Sequence, residues 1–164
     1  IDILINNAGV GSLGETHEMS DADYKKVVSV NQDGVFYAAK YTIQEMLKTG
    51  GGSIVNTASI LGTVGQAGAF AYNASKGAVN IMTKSLALEY ADKNIRVNAI
   101  CPGYVESGMV NKKELGDYYD GLVAKHPIGR LGTADEIAHG MIFLCENDFV
   151  TGTTLIIDGG YTAQ

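Results

Sequence analysis

Short apolar runs alternate along this chain with longer stretches in which apolar positions recur at helical spacing. The run at Ile3–Ile5 comes first, and a helical region follows from Asp21 to Lys48, with Ser20 of "SDAD" as its N-cap. "GGGSIVNTAS" then supplies a glycine stop and a second strand at Ser53–Thr57, before a helix from Ala71 to Tyr90. "IRVNAICPG" reads as the third strand. The polar stretch "KKELGDYYDGLVAKHP" reads as one or two short helices, and a helix from Ala134 follows, capped by Thr133. "TTLIIDGG" closes the series as a fourth strand. This alternation predicts an α/β fold: about four parallel strands joined by right-handed crossover helices. With no linker and no repeat, we expect residues 1–164 to form a single domain.

Composition narrows the function classes. The 164 residues are 46% hydrophobic with a mean hydropathy of +0.05, which suits a globular unit with its own core. Eighteen acidic against twelve basic residues give a net charge of −6, and the densest basic cluster is the pair Lys112–Lys113, so a nucleic-acid partner is not expected. No apolar run reaches the ~20 residues that span a bilayer, so no membrane is implied. Cys101 and Cys145 stand apart without metal-ligand spacing and read as buried thiols of a reducing compartment, the cytoplasm. His17, His126 and His139 are scattered and read as surface or packing residues. The opening "IDILINNAGVG" has no initiator Met and reads as a cut.

In open parallel sheets ligands bind beyond the carboxyl ends of the strands. Those ends carry "NNAG" (Asn6 to Gly9), "NTAS" (Asn56 to Ser59), "CPGYVES" (Cys101 to Ser107) and "DGG" (Asp158 to Gly160). The helix after the second strand contains "AYNASKGAV", which sets Tyr72 and Lys76 four residues apart and hence on one face. A phenol titrates near pH ~10 and a general acid/base works best near the operating pH. An ammonium about 5 Å away offers ~3 kcal/mol of the ~4 kcal/mol needed to bring the phenol to about 7. We therefore expect Lys76 to depress the pKa of Tyr72.

Taken together and in order, these blocks resemble the short-chain dehydrogenase/reductase family over the whole chain. The matching residues are Asn6–Asn7–Ala8–Gly9, Asn31 in "VNQDGVFYA", Ser59 thirteen residues before Tyr72, the Tyr72/Lys76 pair, Pro102–Gly103 and the closing "TGTTLIIDGG". The resemblance implies the carboxyl-terminal part of a Rossmann-like, doubly wound parallel sheet. It implies an NAD(P)-dependent oxidoreductase moving a hydride between the nicotinamide of NAD or NADP and an alcohol or ketone. Tyr72 would be the general acid/base, Lys76 would hold the nicotinamide ribose, Ser59 would bond the substrate oxygen, and Asn31 would hold a water in a proton relay through Lys76. Asn7, Ala8 and Gly9 would line the adenosine side of the cofactor, with Asn6 bracing the sheet. Pro102, Gly103 and Val105 would flank the nicotinamide, and Ser107 stands where the family commonly carries a threonine.

The family's G-x-x-x-G-x-G turn, whose backbone holds the pyrophosphate, is not found in these residues. "TGGGS" at Thr49 to Ser53 precedes a strand instead of joining strand to helix, and we reject it as a substitute. The resemblance thus implies an N-terminally truncated member, with "DILI" left as an exposed edge. A second reading is a shortened, non-catalytic relative acting as a binding or assembly module. Ser59, Tyr72, Lys76 and Asn31, all present, favour the enzyme. Residues 104–130 are expected to form a lid, with Tyr104, Met109, Tyr118, Tyr119 and Leu122 suiting a modest alcohol or ketone. The helices at Asp21–Lys48 and Ala71–Tyr90 pair between subunits in the family, which implies a homo-oligomer, dimer or tetramer.

Overall fold

In the computed structural model, which describes residues 1–108 and 110–164, four strands alternate with helices as the hydrophobic pattern predicts. Met109, assigned to the lid from sequence, lies outside the described residues. The strands are β1 (Ile3–Asn6), β2 (Gly52–Thr57), β3 (Ile95–Pro102) and β4 (Thr154–Ile157). They form one sheet in chain order, every pair parallel, with Ile3 opposite Ser53, Ser53 opposite Arg96 and Ala99 opposite Thr154. Because all four run the same way, Asn6, Thr57, Pro102 and Ile157 end on one edge of the sheet. Ligands are expected at that edge.

The helices are α1 (Asp21–Val28), α2 (Gly34–Thr49), α3 (Phe70–Tyr90), α4 (Lys112–Leu115), α5 (Asp117–Ala124) and α6 (Ala134–Glu146). Side chains of β3 alternate between two cores, as the period of a strand requires. Val97, Ala99 and Cys101 pack with Ala39 and Ile43 of α2 and Val79 and Ala87 of α3. Ile100, with Val55 of β2, packs against Ile137 and Leu144 of α6. Gly140 permits that second contact, since a Cβ there would lie 2.4 Å from Ile157 Cδ1. Arg96 ties the far end of α6 to the sheet by donating to the carbonyls of Leu144 (2.8 Å) and Cys145 (2.6 Å). Those are two of the carbonyls a helix end leaves unpaired.

The expected caps are present. Ser20 Oγ accepts from Asp23 N–H, and Thr133 with Glu136 forms a reciprocal capping box. Gly50 ends α2 at φ 95°, a left-handed conformation that favours glycine. The helical region expected from Asp21 to Lys48 is present, and the structure divides it into three pieces. A π-helical turn at Ser29–Asp33 separates α1 from α2, and Gly34 N–H reaches back to Ser29 O. Such widened turns gather at functional sites. This one carries Asn31, which is fully buried.

Candidate active site

The site is built outward from the end of β2. Ser59 is extended, and its Oγ accepts from Leu61 N–H at 3.1 Å, capping the tight turn Ile60–Gly62. Two asparagines of α3 hold that turn. Asn73 donates its amide to Leu61 O (2.8 Å) and Val64 O (2.9 Å), and Asn80 donates to Gly62 O (3.2 Å). Cys101 Sγ in turn donates to Asn80 Oδ1 at 3.3 Å. A Cβ at Gly62 would lie 2.6 Å from Lys76 O, so only glycine lets the turn rest directly on the α3 backbone. Ser59 is thereby fixed relative to the helix that carries Tyr72.

Tyr72 and Lys76 do share a face. The ammonium lies 5.7 Å from the centre of the Tyr72 ring and donates to Thr57 O at 2.6 Å. Lys76 is 3% exposed, and burial pulls its pKa from 10.5 to about 8. The expected depression of Tyr72 is not found in the chain alone. Burial pushes the phenol up, and a hydrogen bond with Ser59 only partly opposes it. Desolvation is the largest cause of the shift, because burial disfavours the charged phenolate.

Asn31 projects from the π-turn to the loop after β1. Its Oδ1 accepts from Val10 N–H (2.8 Å), and its amide donates to Val10 O (3.0 Å) and Ser75 Oγ (3.2 Å). Both amide hydrogens are therefore spent on protein, so the side chain braces the loop instead of presenting a donor to water. Gly9 sits against this brace: a Cβ there would lie 3.5 Å from both Asn31 Oδ1 and Lys76 Nζ. Asn7 Oδ1 accepts from Thr57 Oγ1 (3.0 Å), and Asn6 bonds Asn56 across the sheet (2.8 Å) in the bracing position expected of it.

A cavity of about 810 Å³ opens over these groups. Asn7, Gly9, Ser59, Tyr72, Lys76, Pro102, Gly103, Val105 and Ser107 all line it, while Ala8 is exposed beside it and does not. Val105 bridges to Gly132, and Ser107 Oγ accepts from Val110 N–H at 3.2 Å. The string "GVGSLG" at Gly9–Gly14 has the spacing of a nucleotide loop. No α-helix opens on it: Gly14 N–H bonds Gly68 O, only a single 3-10 turn at Thr16–Glu18 follows, and α1 begins at Asp21. The helix N-terminus that would complete a pyrophosphate site is therefore not there.

Several neighbours escaped the sequence reading. Asn73 and Asn80 stand at i−3 and i+4 from Lys76, a helical stripe that could have marked them. Gln66 accepts a short hydrogen bond from Tyr104 Oη across the cavity. Burial and neighbouring phenols push Tyr104 up to about 12. His126 is buried: its Nδ1 lies 2.8 Å from Leu122 O and its Nε2 accepts from Tyr104 N–H at 3.2 Å, so it packs the base of the lid. No spacing in the sequence announces either contact. His17 and His139 are exposed. Among the described residues no cluster could hold a metal ion, and no helix is long and apolar enough to cross a membrane.

Comparison with known proteins places this arrangement. The family profile described as Enoyl-(Acyl carrier protein) reductase matches residues 1–162. Cyclohexanol dehydrogenase of Acinetobacter sp. (strain SE19) is 41% identical over 167 residues, covering 100% of this chain and 65% of the relative. NADP-dependent (R)-specific alcohol dehydrogenase of Lentilactobacillus kefiri is 40% identical, covering 100% and 67%. Among solved structures, a gluconate 5-dehydrogenase from Burkholderia cenocepacia J2315 in complex with NADP and tartrate superposes with a TM-score of 0.94 at 35% identity, covering 100% and 66%. The chain thus spans about two thirds of the length of the relatives it matches.

Proposed function

The chain belongs to the short-chain dehydrogenase/reductase family, and from that membership we propose that it serves an NAD(P)-dependent oxidoreductase interconverting an alcohol and a ketone, with Tyr72 as general acid/base. One observation carries this reading: Ser59, Tyr72 and a buried Lys76 converge on the rim of one cavity. The alcohol-oxidising relatives and the NADP held by the gluconate dehydrogenase support it.

The residues present fit the nicotinamide half of NAD or NADP. Lys76 uses one of its donors on Thr57 O, which leaves ammonium hydrogens for ribose hydroxyls, and Gly9 keeps the loop beside it free of a side chain. Asn7, Ala8, Gly9, Tyr72, Lys76, Pro102, Gly103, Val105 and Ser107 would hold the cofactor, which supplies the hydride when bound. The chain's own part is the proton. Leu61 N–H occupies an acceptor site of Ser59 and leaves its single hydroxyl hydrogen free to donate to a substrate oxygen. In reduction Tyr72 gives its proton to that oxygen as negative charge develops there, and Ser59 stabilises the charge by hydrogen bonding. Lys76 holds positive charge beside the phenolate left behind. Asn31 positions the Gly9–Val10 loop and Ser75, and through them the relay around Lys76.

We place the protein in the cytoplasm as a homo-oligomer, dimer or tetramer. Its two free cysteines and the exposed Phe36, Tyr37 and Tyr41 of α2 and Leu88 of α3 support that placement. Residues 1–164 would act as one unit, with 104–130 as the lid. Those same apolar faces favour the second reading, an assembly module without catalysis, and Tyr72→Phe separates the two. The variant should keep its circular dichroism and melting temperature while kcat/KM for ketone reduction drops by about 10³-fold. Turnover close to that of the unmodified protein would remove Tyr72 from the acid/base role.

A further inference from the structure

Resting on that oxidoreductase reading, we propose that the cavity selects uncharged, largely apolar alcohols and ketones and rejects anionic ones, with Gln66 the position that sets this preference. Of the described residues lining the cavity only Lys76 carries a charge, and its ammonium is engaged by Thr57 O beside Gly9. A substrate whose reacting oxygen meets Ser59 and Tyr72 leaves its body against Leu61, Gln66, Tyr104, Leu115, Tyr118 and Leu122. None of these is charged.

The basic groups of the lid, Lys112, Lys113, Lys125 and Arg130, do not line the cavity. Lys112 is held by Asp120 (2.9 Å) and Arg130 by Glu136 (2.6 Å). His126 does not line the cavity, and its ring nitrogens meet the backbone of Leu122 and Tyr104. Against these six uncharged side chains a carboxylate or sulfonate on the substrate body would lose its water and meet no counter-charge, the Lys76 ammonium being held at Thr57 O on the cofactor side, and that is strongly unfavourable. Gln66 offers neutral hydrogen bonding instead. Its Oε1 is taken by Tyr104 Oη, and its amide nitrogen has no partner among the described residues, leaving a donor for a neutral oxygen on the substrate.

Two ketones of one skeleton test this: para-methylacetophenone, and para-acetylbenzoate, which differs by a carboxylate in place of the methyl group. With NADH or NADPH at neutral pH, kcat/KM should favour the neutral ketone by at least ~100-fold. In Gln66→Arg the carboxylate ketone should gain at least ~10-fold and the preference should collapse. Calorimetric titration with para-toluamide and para-toluate gives a readout free of turnover, and the amide should bind more tightly to the unmodified protein. Equal or inverted preference in the kinetics or the titration overturns the proposal. If neither ketone is reduced, the oxidoreductase reading fails for this substrate type, while the ratio of the two titrations still decides the character of the cavity.

Discussion

The two walls of the cavity are held together in different ways. On the β2–α3 side, Ser59, Asn73, Lys76, Asn80 and Asn31 meet their partners mainly through hydrogen bonds to backbone, and all but Asn73 are buried. On the lid side, α4 and α5 contribute one buried residue, Leu122, and the ion pairs among the described residues are the surface pairs Lys112–Asp120 and Arg130–Glu136. Buried bonds to backbone admit few alternatives, because breaking one strands a polar group away from water. Surface ion pairs exchange cheaply with solvent. Proton transfer needs fixed distances and substrate admission needs movement, so the chain places its rigid chemistry on α3 and its compliant chemistry in the lid.

Lys76→Met gives the largest expected effect and probes the rigid wall directly. Ketone reduction should fall by about 10³-fold, because the variant loses the cation beside Tyr72. Stability should respond in the opposite sense. The pKa of Lys76 is about 8 in the fold against 10.5 for an exposed lysine, so the buried ammonium costs the fold on the order of 3 kcal/mol below pH 8. Loss of the bond to Thr57 O offsets part of the relief. Between pH 8 and 10.5 the unfolded chain binds more protons than the folded one, so the stability of the unmodified protein rises with pH there. Lys76→Met lacks that rise, and urea unfolding across this interval should show the difference between the two proteins shifting in favour of the unmodified one. Parallel pH profiles would mean that the ammonium is solvated in the fold.

Asn73→Ala is the next step down. It removes two hydrogen bonds that hold the Ser59 turn and should cost about 1–3 kcal/mol in urea unfolding. As Asn73 acts through Ser59, kcat should fall about 10-fold with KM nearly unchanged. A loss of stability with unchanged kcat would show that the turn keeps Ser59 in place without Asn73. It would also erase the contrast between the two walls.

The layout of the sheet was legible in the sequence because each strand and helix carries its own signal. β-branched runs mark the strands, Ser20 and Thr133 mark helix starts, and Gly50 marks a stop. Ser59, Tyr72 and Lys76 were legible as a spacing, and the fold brings them to one cavity. The π-turn was not legible, since nothing in "SVNQD" distinguishes one widened turn from the helix on either side; the burial of Asn31 against Val10 decides it. Nor was the upward shift of Tyr72, which depends on how much water the surrounding fold removes, a quantity that spacing does not encode. Gln66 and Tyr104 lie far apart in the chain and meet only through tertiary folding.

The smallest effect is expected from Arg130→Gln, on the lid side. Arg130 grips Glu136 with two nitrogens, Nη1 to Oε2 at 2.9 Å and Nη2 to Oε1 at 2.6 Å, and this pairing is the main reason the Glu136 pKa falls to about 2. The folded value lies below the ordinary 4.5, so the pair favours the fold above that pH and the contribution is lost as pH falls towards 2. Removing the guanidinium should raise the Glu136 titration, followed by carboxyl-carbon NMR, without restoring it fully, because Thr133 N–H still donates to the carboxylate at 2.9 Å and keeps the start of α6 capped. Both side chains are about half exposed, at 51% and 42%, and water screens them, so the melting temperature at neutral pH should move by less than about 2 °C. A drop of ~8 °C or more would mean that this ion pair locks the lid as firmly as the asparagines lock the Ser59 turn, and the division of the cavity into a rigid and a compliant wall would not hold.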